Sequence, residues 1–125
     1  MNFYVTPSSM LPIYEQIMNQ IKTGIIEKKL LPNEALPSIR SLAKDLQISV
    51  ITTKRAYEEL EAEGLIYSVP GKGFYIAEQN TDLLKEKKLR MIENRFTELL
   101  AECRQANISK EELLSMIEVL YDEQE

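Results

Sequence analysis

The sequence predicts a mainly α-helical fold with one small β-hairpin (α+β), divided into a head on residues 1–77 and a short helical tail on residues 78–125. Three observations carry this. Apolar residues recur every three or four positions through most of the chain, the period of a helix buried on one side. The run Pro70-Gly71-Lys72-Gly73 separates two β-rich segments, the pattern of a tight hairpin. Hydroxyl residues and glycines fall where helices need starts and stops.

In chain order, residues 11–30 form the first expected helix, with Ile13, Ile17, Ile21 and Ile25 on one face and Pro12 near its start. Residues 31–37 read as a turn or short extended link. Residues 37–64 hold two short helices joined by a tight turn. In the first, Ile39, Leu42, Ala43 and Leu46 share a face and Ser38 caps the start. In the second, Ser49 is the N-cap, Thr53, Ala56, Tyr57 and Leu60 form the inner face, and Gly64 is the stop. Residues 65–69 and 74–77 are the hairpin strands. Helix-helix-helix-hairpin is the winged helix-turn-helix arrangement.

Residues 79–82 read as a hinge, followed by a long helix over residues 82–106. Within it Leu89, Ile92, Phe96, Leu99 and Cys103 recur at alternating spacings of 3 and 4, an a/d seam over two heptads. Ser109-Lys110-Glu111-Glu112 is a capping box for a last helix with Leu113, Ile117 and Leu120 on its apolar face. Two heptads are too short to hold a coiled coil alone. The last helix is therefore expected to pack on the long one, within or across subunits of a homodimer.

Composition excludes several classes. No apolar run approaches the ~18 residues of a membrane span, and the N-terminus lacks the pattern of a signal peptide. The single Cys103 rules out an internal disulfide, fits a reducing compartment, and sits on the seam as a small packed residue rather than a thiol sensor. A cytoplasmic protein is expected. The chain has no His, which removes histidine-based triads and histidine zinc sites. Its many Glu residues fall at the spacing of solvated helix faces. No enzyme, cofactor or metal is expected.

The charges point to a polyanion. Lys54 and Arg55 lie in the first half of the helix that Ser49 starts, whereas Glu58, Glu59, Glu61 and Glu63 fill its second half. Such a helix approaches DNA by its N-terminal turns and turns its acidic end away. The net charge of −5 is concentrated in the tail: residues 1–78 hold eight Lys/Arg and nine Asp/Glu, residues 79–125 seven and eleven. A near-neutral head predicts weak non-specific affinity and leaves a site-specific reader.

The pattern Pro12, Tyr14, Gln16-Ile17, Leu36-Pro37-Ser38, Arg40, Leu42-Ala43, Ser49, Thr52, Ala56-Tyr57, Leu60, Gly64-Leu65-Ile66 and Pro70-Gly71-Lys72-Gly73 resembles the GntR family of bacterial transcriptional regulators over residues 11–77. The two-helix extension resembles the YtrA subfamily. The resemblance implies a dimeric repressor on a double-stranded DNA operator, and it aligns Arg40 with a DNA-contacting arginine; a solvated surface arginine is the plainer alternative. This chain departs from the family's habit at Pro32-Asn33, where Pro-Gly is common, and at Thr53, where an aliphatic is usual. It departs most at Val50-Ile51, where polar or basic residues are common.

Ser49 and Thr52 are candidate phosphate contacts or simply helix-start residues. Lys54 is a candidate phosphate or base contact, while Arg55 either joins it or pairs with Glu58 or Glu59. Gly71 and Lys72 fit a wing touching the adjacent groove, unless Gly-Lys-Gly is only turn chemistry. Ile51, with Val50 beside it, faces outward, where an aliphatic can pack on a thymine methyl. Two readings of the whole remain. One is a homodimeric repressor on a palindromic operator; the other is a winged-helix module that docks to a protein and never meets DNA. No small-molecule effector is identified. The tail is too short to enclose one within a subunit, which leaves only a cleft between subunits.

Overall fold

The first helix of the head closes earlier than its periodicity predicts, and the reason is a buried leucine. The computed structural model describes residues 2–123. Its elements are α1 (Ile13–Ile26), α2 (Ile39–Leu46), α3 (Val50–Ala62), β1 (Ile66–Val69), β2 (Gly73–Ile76), α4 (Thr81–Gln105) and α5 (Lys110–Glu123). The apolar period carries α1 to residue 30, but the helix ends at Ile26. Lys28 turns left-handed (φ 60°), and the N–H groups of Lys29 and Leu30 both return to the Gly24 carbonyl, at 2.8 and 3.0 Å. A left-handed non-glycine residue costs about 1–2 kcal/mol. Swinging Leu30 into the core offsets it.

The core lies between the isoleucine stripe of α1 (Ile17, Ile21, Ile25) and the inner face of α3 (Ala56, Tyr57, Leu60), closed by Leu42, Leu65, Ile66 and Ile76. Thr53 is fully buried on that face, but its hydroxyl donates to the Ser49 carbonyl at 3.2 Å. Its methyl therefore enters the core without an orphaned polar atom. β1 and β2 pair antiparallel, from Ile66 opposite Ile76 to Val69 opposite Gly73. The link before α2 is more than a turn. Asn33, at φ 68°, and Leu36 donate to the Ile76 and Phe74 carbonyls at 2.7 and 2.9 Å, and Ala35 bridges to Tyr75. The hairpin thus gains a short third edge.

An N-terminal arm, which no pattern in the sequence announces, completes the head. Residues 3–6 run along α1, held by glutamine amides that pair with the backbone as a neighbouring strand would. Gln20 binds both the N–H and the carbonyl of Tyr4, and Gln16 binds those of Thr6 at 2.8 and 3.0 Å. Phe3 and Val5, on alternate positions, pack on the core.

The chain forms two compact units, divided between Lys85 and Glu86. Asn80 caps α4 by accepting the Leu83 N–H at 3.1 Å, and Leu84 still packs on the core of the first unit. In the second unit Cys103 is buried beside the corner that leads to α5. There Asn107 is left-handed (φ 58°) and Ser109 accepts the Glu112 N–H at 3.1 Å, the expected cap. α5 then runs clear of α4, and none of its residues is buried. Packing of α5 on α4, one of the two arrangements the sequence allows, does not occur within one subunit. Leu89, Ile92, Phe96 and Leu99 stand about half exposed on α4. No helix of the described residues is long and apolar enough to cross a membrane.

Candidate nucleic-acid interface

α3 starts from a turn built to point its first residues outward. Gln47 ends α2 in the left-handed region (φ 57°), and the Ile48 N–H returns to the Ala43 carbonyl at 3.0 Å. Leu46 and Ile48 pin the turn to the core. The Ser49 Oγ accepts the Thr52 N–H at 3.0 Å, and its hydroxyl donates to Thr52 Oγ1 at 2.8 Å. Ser49 is thereby committed to capping, while the Thr52 hydroxyl keeps its own proton to give. Val50 and Ile51 project to solvent, 46% and 80% exposed.

The cations are restrained by acids on their own helix. Lys54 Nζ lies 3.7 Å from Glu58, and Arg55 Nε lies 3.4 Å from Glu59. The Arg55 guanidinium also sits 3.9 Å over the ring of Tyr14, which ties the middle of α3 to the start of α1. Exposed pairs of this kind contribute about 0–1 kcal/mol, so a phosphate can compete for either cation. Arg40 lies in the first turn of α2, whose N-cap Ser38 accepts the Ser41 N–H at 3.1 Å. It is exposed, with no ion pair among the described residues. Lys72 is exposed at the hairpin tip between Gly71 (φ 76°) and Gly73 (φ 111°), dihedrals that favour glycine at both places.

The acidic half of α3 holds the head together. Glu61 accepts the Ser68 N–H of β1 at 3.0 Å, and Glu63 pairs with Lys22 of α1 at 3.1 Å. Sequence reasoning also missed the wider part played by Tyr57, which it placed only on the core face. Its ring packs edge-on against Phe74 of the hairpin at 5.1 Å, and its hydroxyl donates to the Pro37 carbonyl just before the α2 cap at 2.7 Å. One side chain thus fixes α3 against both α2 and the hairpin. A long-range bond to a backbone carbonyl leaves no periodic signal by which it could have been found.

Burial pushes the Tyr57 hydroxyl well above its ordinary value. A raised folded-state value stabilises the protein below the unfolded tyrosine value near 10 and is lost as pH rises past it, because the unfolded chain then gives up the proton first. Chemical denaturation of Tyr57→Phe should show a flatter decline of stability above pH 10 than wild type, by up to about 1.4 kcal/mol per pH unit. Equal slopes would show that the hydroxyl is not held protonated by the fold.

Residues 13–76 match the model of the gntR family of bacterial regulatory proteins. The chain is 37% identical over 109 residues to the HTH-type transcriptional repressor YtrA of Bacillus subtilis, covering 87% of this chain and 84% of that one. A transcriptional antiterminator from Listeria monocytogenes superposes with a TM-score of 0.72 at 31% identity, over 97% of this chain and 90% of that one. The DNA-binding domain of AraR in complex with operator ORE1 superposes with a TM-score of 0.52 at 33% identity, over 58% of this chain and 89% of that one. From its fold, its match over residues 13–76 and its relatives' shared role, the chain belongs to the gntR family and is a DNA-binding transcription regulator rather than an enzyme.

Proposed function

We propose that this protein is a cytoplasmic, homodimeric repressor that reads a palindromic operator. The observation that carries the DNA contact is the division of charge on the head. Exposed cations lie in the first turn of α2, in the first half of α3 and at the hairpin tip (Arg40, Lys54, Arg55, Lys72), while Glu61 and Glu63 are tied to the head's own backbone and to Lys22. A duplex met from the cationic side gains phosphate contacts without facing those acids. Repression is supported by the Bacillus relative, itself a repressor, and operator binding by the AraR complexes.

Dimerisation is supported by the tail. α5 carries Leu114, Met116, Ile117, Val119, Leu120 and Tyr121, all exposed in the single chain. A 14-residue helix is marginal alone, and one apolar on most sides belongs inside an assembly. α5 packs across the subunit contact, on a surface that includes the partner's copy of the Leu89–Leu99 seam. The two heads then present two-fold related α3 helices to inverted half-sites.

Selection of bound duplexes from a random pool should return an inverted repeat. Arg40→Ala and Lys54→Ala should each weaken binding to it. Each should also lower the slope of log K against log salt by about one for every phosphate that a subunit no longer neutralises. Unchanged affinity and slope in both variants would favour the protein-docking module instead.

A further inference from the structure

The outermost point of the recognition turn is a hydrocarbon. At ~100° per residue, Ile51 stands opposite the inner face of α3, and Lys54 and Arg55 flank it at roughly 60° and 40° on either side. Glu58 and Glu59 lie one turn behind those cations and hold them. Of the polar groups in the first turn, Ser49 is committed to the Thr52 N–H and hydroxyl. The Arg55 guanidinium is stacked on Tyr14. A groove meeting this end of the helix therefore encounters first an isoleucine that is 80% exposed, rimmed by two cations.

An aliphatic side chain cannot read a hydrogen-bond pattern. The apolar group on a major-groove edge is the 5-methyl of thymine, and the same methyl at the same ring position is carried by 5-methylcytosine. Contact with that methyl removes both surfaces from water. It is indifferent to whether the ring beyond carries the O4 of thymine or the N4 amine of cytosine.

We propose that Ile51 makes the start of α3 a reader of 5-methylpyrimidines, accepting thymine or 5-methylcytosine at one position of each half-site and rejecting their unmethylated counterparts. The inference rests on the DNA-contact reading above. Its consequence is that methylation of a cytosine at that position turns a weak site into a strong one.

The test is titration of the full chain with the selected operator. Each thymine in turn is presented symmetrically as T·A, U·A, C·G or 5-methyl-C·G. At one position, replacing thymine by uracil should lower affinity about four-fold per half-site, the worth of one buried methyl, or about fifteen-fold with both half-sites changed. Methylating the cytosine there should recover the same factor over plain cytosine. Both effects should disappear in Ile51→Ala, which keeps the fold because residue 51 touches solvent and not core. An operator bound tightly with no uracil-sensitive position overturns the proposal, as does a methyl effect that persists undiminished in Ile51→Ala. Failure to retain any duplex would refute the DNA-contact reading itself, and this inference with it.

Discussion

Phe96→Asp should convert the proposed dimer into a monomer and weaken its grip on a palindromic operator by ~10² to 10⁴. Phe96 lies mid-seam on α4, 46% exposed in the single chain and flanked by Ile92 and Leu99, so a partner that covers the seam covers it too. A carboxylate buried there without a counter-ion costs several kcal/mol. The head is a separate compact unit and should keep its fold and its affinity for a single half-site. The variant gives up only the second, intramolecular attachment. Sedimentation and titration with full and half operators measure both. A variant that stays dimeric, or one that is monomeric yet binds the full site as wild type does, would overturn this assembly.

Leu60→Ala should lower the stability of the head by about 2–5 kcal/mol, a large part of the total for a small domain. Leu60 is fully buried on the inner face of α3, against the isoleucine stripe of α1. The missing methyl groups leave a cavity that two helices pinned to each other cannot collapse to fill. Pinning comes from Glu63 at Lys22 and Arg55 over Tyr14. Urea unfolding at fixed protein concentration gives the value. A loss below about 1 kcal/mol would mean that α1 and α3 slide together more freely than these contacts allow.

What the sequence disclosed was what local chemistry determines. Ser38, Ser49 and the Ser109–Glu112 box cap their helices as expected, because a hydroxyl three residues before a free N–H needs no distant partner. Gly64 and the Pro70–Gly73 turn end their segments for similar reasons. Outward placement of Ile51 follows from the helical period alone. What stayed hidden depends on partners far along the chain: the amides of Gln16 and Gln20 holding the arm, Ala35 extending the hairpin, Tyr57 reaching Pro37. The expected helix overruns the end of α1 because nothing in the isoleucine stripe, which ends at Ile25, announces the left-handed turn at Lys28 that swings Leu30 into the core. The direction of α5 is open by pattern because its apolar face fits its own α4 or a partner's equally well.

Glu58 and Glu59 have a kinetic consequence. On the proposed DNA contact each glutamate holds a cation that a phosphate would take, so Lys54 and Arg55 would exchange one anion for another as the head meets duplex. On random sequence that exchange would yield little, and the protein would dissociate quickly. At its operator the proposed groove contact of Ile51 would be added, and the dwell would lengthen. The two glutamates would thus shorten the time spent on the vast excess of wrong sites, which would speed the search for the right one.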